Sequence, residues 1–243
     1  MSAKYDFDGL CAIMDTLISE NGCPWDKVQT HQTLREDIIE ESYEVVDAID
    51  KNDMPGLCEE LGDVLFSIVF HCKLAEKEGA FTTADMVGGI GEKMVRRHPH
   101  IFTDAVKADT PGQVVENWDQ IKKVEKSYTT GSQTLRAVPE AMPALMRAEK
   151  VEKRAEKASA EKFGLERSMA KASAALARLA DSDCSEEEKS AILGRLLFWI
   201  VAISRKLNIN AEFALTNATE TFINNFEDCE NATKSTSEAF WDF

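Results

Sequence analysis

Apolar residues recur along this chain at helical spacing, and no segment sustains the alternation expected of strands. The pattern predicts a helix over roughly 5–20, stopped at Asn21-Gly22-Cys23-Pro24. The next runs from Thr33 to about Lys51, with Ile38, Val45 and Ile49 on one face, and stops at Asn52-Asp53-Met54-Pro55-Gly56. A third spans about Pro55 to Glu78, with proline in its first turn, an apolar stripe of Leu57, Leu61, Val64 and Ile68, and Gly79 as its stop. The turn between these two is short, so they should pack antiparallel.

Further helices are expected from Thr83 to about Arg97, ended by His98-Pro99, and from near Thr110-Pro111 through Trp118 and Lys122. Thr129-Thr-Gly-Ser-Gln133 is small and polar and reads as a linker. A Lys/Glu/Ala-rich stretch to Lys162 reads as a charged, solvated helix, and the last apolar helix as Ile192 to Ile203. The fold class is all-α.

Composition sharpens this picture in two places. Of 243 residues, 44% are hydrophobic and 29% charged, enough to build a core, and only 12 Gly and 6 Pro interrupt the helices. The net charge of −15 opposes general nucleic-acid binding, although a metal can still bring a phosphorylated small molecule to an acidic protein. Met1 to Leu10 carries Asp6 and Asp8 and no secretory signal is readable. No stretch approaches the roughly 20 apolar residues that span a bilayer, so a soluble, cytoplasmic protein is expected. The six cysteines form no CxxC pair, which points to reduced thiols and away from zinc.

The chemistry-bearing pattern is Glu40-Glu41-Ser42-Tyr43-Glu44 on one helix and Glu59-Glu60-Leu61-Gly62-Asp63 on the next. A spacing of three puts Glu41 with Glu44, and Glu60 with Asp63, on one side of each helix. An antiparallel hairpin then brings the four together beside the apolar stripes, partly buried. Like charges about 4 Å apart repel by roughly 4 kcal/mol at an effective dielectric of about 20. Such a cluster must therefore protonate or hold a cation, and oxygen ligands without Cys or His favour Mg²⁺ or Mn²⁺. The alternative is that these acids form a solvated helix face. A di-iron bundle would need Glu-x-x-His, and here Glu44 and Asp63 stand at the histidine positions.

Lys93, Arg96 and Arg97 precede His98-Pro99-His100, where cations suit a helix C-terminus; Lys93 and Arg97 could instead clamp a polyphosphate. Trp25 and Trp118 could each stack on a base, or could be core. P-loop, dinucleotide-binding and serine-hydrolase motifs are missing from the sequence.

Taken together, Cys23-Pro24-Trp25-Asp26, Gln29-Thr30-His31, Glu40-Glu41-x-x-Glu44, Glu60-Leu61-Gly62-Asp63, Arg96-Arg97-His98-Pro99-His100 and Trp118-x-x-Ile121-Lys122 resemble the MazG family in order and spacing. The resemblance covers about residues 10–126 and continues through Val138-Pro139, Pro143-Ala144-Leu145 and Arg147-Ala148. It implies tandem MazG-like helical bundles, read here as a catalytic domain over 1–128, a linker over 129–140 and a second domain over 141–243. It also implies a homodimer and Mg²⁺-dependent cleavage of nucleoside triphosphates to monophosphate and pyrophosphate. Glu41, Glu44, Glu60 and Asp63 correspond to metal ligands, and Lys93, Arg97, Trp118 and Lys122, with Trp25, to nucleotide contacts. Glu40 or Glu41 would accept the proton of the attacking water.

The second half departs from that pattern. Lys171-Ala-Ser-Ala-Ala-Leu-Ala-Arg178 stands where a second carboxylate helix is expected. Ile192-Leu-Gly-Arg-Leu-Leu-Phe198 keeps the apolar frame without the acids. A degenerate second domain follows, and with it an alternative in which the whole chain is a non-catalytic helical adaptor.

Overall fold

The computed structural model describes residues 5–103, 107–159, 164–181 and 183–233, and every regular element among them is a helix. The chain divides into two compact units, 1–122 and 123–243.

In the first unit α1 spans Phe7–Leu17, with the Asp6 side chain accepting from the Gly9 amide at its start. Two short 3-10 turns, Asp26–Val28 and Thr33–Arg35, lead into α2, Asp37–Asp50. The long α3 is Met54–Lys77, and α4 is Thr83–Arg97, opened by a Thr82/Asp85 capping box. A single turn, α5 (Pro99–Phe102), precedes α6, Pro111–Glu125. The expected helices are thus present, with the Thr33 start replaced by a 3-10 turn and α2 beginning at Asp37.

The ends of α2 and α3 follow from backbone chemistry. Asn52 takes φ 54° while the Asp53 amide bonds the Ala48 carbonyl at 2.9 Å, closing α2 in a left-handed stop. Asp53 then caps α3 by accepting from the Gly56 amide at 3.1 Å. One residue therefore ends one helix and the next begins the other, which makes α2 and α3 an antiparallel hairpin. Gly79, at φ 71°, ends α3 in the same way, with the Ala80 amide on the Ala75 carbonyl.

The core of this unit is Met14 and Ile18 of α1, Leu34 of the second 3-10 turn, and Val69, Phe70 and Leu74 of α3. It covers the C-terminal half of α3. The expected stripe at the other end is only partly covered: Leu57, Val64 and Ile68 are half-buried, while Leu61 and Ile49 are each 52% exposed.

In the second unit the expected linker differs from an open segment. A Thr130/Gln133 capping box starts α7, Gly131–Arg136, inside it. Then come α8 (Ala144–Ala158), α9 (Leu165–Leu179), α10 (Glu186–Lys206) and α11 (Ala211–Thr233). The pattern had shown only Ile192 to Ile203 of α10; a Ser185/Glu188 capping box extends it backwards. Helix α11 was not expected at all. It starts after Asn208, which is left-handed at φ 58°, with the Asn210 side chain accepting from the Glu212 and Phe213 amides.

The reading of α8 as a solvated helix also needs correction, and its extension to Lys162 lies outside the described residues. Glu152 is only 7% exposed, and Arg205 of α10 forks onto Glu152 and Glu156 while Lys206 also takes Glu156. The Lys206 and Arg205 hydrogen bonds hold the Glu156 carboxyl below its ordinary range, against the opposing effect of burial. Removing one partner leaves a buried carboxylate without its cation. Arg205→Ala is therefore expected to cost roughly 3 kcal/mol in urea unfolding of the full chain; a loss below about 0.5 kcal/mol would mean that water screens the network.

Candidate metal centre on the α2–α3 hairpin

The hairpin brings the four carboxylates of the sequence pattern together. One oxygen each of Glu41, Glu60 and Asp63 lies within 4.8 Å of the others, and the Glu44 charge acts on both Glu41 and Glu60. Glu41 and Glu60 are half-buried, whereas Glu44 and Asp63 are exposed.

Burial pushes the Glu41 carboxyl above its ordinary range, and the charges of Asp63, Glu44, Glu40 and Asp37 push it further. Glu60 is raised by burial, by the charge and hydrogen bond of Glu44, and by Glu59 and Asp63. Asp37 is the member that the motif-based reading did not single out. It stands four residues before Glu41, one helical turn away, and that spacing was signal enough.

The donor set is all oxygen, negatively charged and free of His or Cys, which fits a hard divalent cation such as Mg²⁺. A cation would relieve the repulsion that adds to burial in raising Glu41 and Glu60.

The other sequence-derived residues gather only in part. Arg97 is buried and its guanidinium lies 5.5 Å from the centre of the Trp118 ring, so Trp118 already has a cationic partner on that face. Trp118 is nevertheless 40% exposed. Lys93 lies one turn before Arg97 on α4, and Lys122 lies one turn after Trp118 on α6; both are half-buried. Arg97 stands as far beyond Ala80 in sequence as Asp63 stands before it, so the two are equally distant from the α3–α4 turn. Trp25 is exposed at the start of the first 3-10 turn, its carbonyl accepting from the Gln29 amide group at 2.9 Å. Glu40 is exposed beside the ligand group.

In the second unit, the corresponding positions on α9 and α10 hold half-buried Ala175, exposed Arg178, buried Ile192 and exposed Arg195. Among the described residues, Glu41, Glu60 and Asp63 are the set whose ligand atoms converge for a metal.

Comparison with known proteins shows the family. Residues 29–102 match the MazG nucleotide pyrophosphohydrolase domain. The nucleoside triphosphate pyrophosphohydrolase of Escherichia coli K12 is 39% identical over 230 residues, which cover 92% of this chain and 86% of that one. The Thermotoga maritima nucleoside triphosphate pyrophosphohydrolase/pyrophosphatase MazG is 38% identical over 225 residues, covering 92% and 85%. The Bacillus subtilis protein YabN is 48% identical over 149 residues, but this stretch is only 30% of its length.

Proposed function

This chain belongs to the MazG nucleotide pyrophosphohydrolase family, and from that premise we propose that it hydrolyses nucleoside triphosphates to monophosphate and pyrophosphate at the α2–α3 carboxylates, with Mg²⁺ as cofactor. The observation that carries the proposal is the convergence of Glu41, Glu60 and Asp63 within 4.8 Å. With Glu44 they would hold the ion, and Mn²⁺ would substitute for it. When bound, Mg²⁺ neutralises phosphate charge and makes coordinated water more acidic.

The chain's own groups do the rest. Glu40, or Glu41 itself, accepts a proton from the water that attacks the α-phosphorus. Lys93, Arg97 and Lys122 offset the remaining phosphate charge, and the exposed surfaces of Trp118 and Trp25 offer stacking to a base. A role in clearing unwanted nucleotides from the cytoplasmic pool follows from this reaction. No helix among the described residues is long and apolar enough to cross a membrane.

The proposal includes a homodimer. Ile39, Tyr43, Ile49, Leu61 and Leu65 are exposed on α2 and α3, and a second copy would cover them. Light scattering is expected to give twice the chain mass.

The reaction class is tested by phosphorus NMR of a nucleoside triphosphate incubated with the protein and Mg²⁺. Pyrophosphate is expected as the first product. Orthophosphate with a nucleoside diphosphate left behind would contradict attack at the α-phosphorus.

A further inference from the structure

Away from the carboxylates, two histidines meet between the segment preceding α2 and the C-terminal part of α3. The Nδ1 atoms of His31 and His71 are 2.8 Å apart. Their ring planes differ by 4° and their centroids are 5.1 Å apart, about the full reach of two imidazoles joined nitrogen to nitrogen. The rings are therefore coplanar and edge to edge, which is the alignment an N–H···N hydrogen bond needs.

One proton occupies that line, since two Nδ1–H groups would collide and two lone pairs would repel. Either ring can supply it, and the Nε2 of His31 faces the Glu78 carboxylate at 4.0 Å.

We propose that His31 and His71 are positioning residues, a one-proton clamp that fixes the start of α2 against α3 and so sets the spacing of the carboxylates between them. The hairpin is already pinned at Asn52-Asp53, at one end of α2. The clamp pins the other end: His31 lies just before α2, and its partner His71 lies eight residues beyond Asp63 on α3. The contribution to metal binding rests on the function proposed above, whereas the hydrogen bond itself does not.

The clamp is acid-sensitive. Burial and the His31 charge lower the His71 pKa, opposed by the Leu34 carbonyl and by Asp37, while Glu78 faces His31. A depressed pKa means that the stability contributed by His71 is present above the ordinary imidazole range and is lost as pH falls below it. A second proton then separates the two Nδ1 atoms.

The test uses the full chain labelled with ¹⁵N-histidine. At pH 8 a through-hydrogen-bond N–N coupling is expected between His31 Nδ1 and His71 Nδ1, lost on acidification. Two uncoupled, independently titrating rings would overturn the clamp. His71→Phe is expected to speed hydrogen exchange across Asp37–Asp50 in the metal-free protein and to weaken Mn²⁺ binding about tenfold. His71→Asn, whose side-chain amide can replace Nδ1 in that hydrogen bond, should restore both. Unchanged exchange in His71→Phe would overturn the positioning role. Absence of Mn²⁺ binding by the unsubstituted protein would instead overturn the metal reading, leaving coupling and exchange to judge the clamp.

Discussion

Glu41→Gln and Asp63→Asn are each expected to abolish turnover, by at least about a hundredfold, while the protein keeps its helical circular dichroism. The magnitude follows because even groups that only support metal ligands are worth about ten- to a hundredfold, and these two would bind the ion directly. The fold survives because each change removes one charge from a cluster whose members repel one another. The pH dependence has a definite sign. The Glu41 carboxyl is raised, so its stabilising contribution is full below the ordinary glutamate value of 4.5 and is lost as pH rises through the raised value. Metal-free protein should therefore gain stability from this group on acidification through that window, and Glu41→Gln should lack that gain. An active variant would remove the residue from the site, and an unfolded one would show that it serves the fold.

The second large effect expected is catalytic silence of the C-terminal unit. Arg178 and Arg195 are exposed where a metal site would need acids, and Ile192 is buried in the packing. A divalent cation there would meet positive charge in place of ligands. A fragment covering 141–243, and the full chain carrying Glu41→Gln, are both expected to show no hydrolysis of a nucleoside triphosphate panel with Mg²⁺ or Mn²⁺. Clear metal-dependent hydrolysis by either would place activity outside the α2–α3 site. Ile192, Val201 and Ala202 of α10 are buried, consistent with a domain retained for packing or regulation.

The hairpin was legible in the sequence because its determinants are local. Periodicity gave α2 and α3, Asn52-Asp53 gave the turn, and the spacing of three gave the carboxylate pairs. What stayed hidden depends on partners far along the chain. Glu152 reads as one more acid in a charged run until α10 brings Arg205 to it. His31 and His71 are forty residues apart, and periodicity does not report an edge-to-edge ring contact. Helix α11 was missed although Asn208 and Asn210 offer stop and cap chemistry, because its polar residues weaken the apolar stripe. Leu61 shows the opposite error. Its helical phase matched an interior position, yet the described residues of the chain leave it half uncovered.

The central claim is that the carboxylates of α2 and α3 hold the catalytic divalent ion. Anomalous diffraction from crystals of the full chain grown with Mn²⁺ tests it most directly. The expected result is a peak among Glu41, Glu44, Glu60 and Asp63, lost in crystals of the Asp63→Asn protein. A Mn²⁺ peak on the α9–α10 helices with none at these four carboxylates would contradict it.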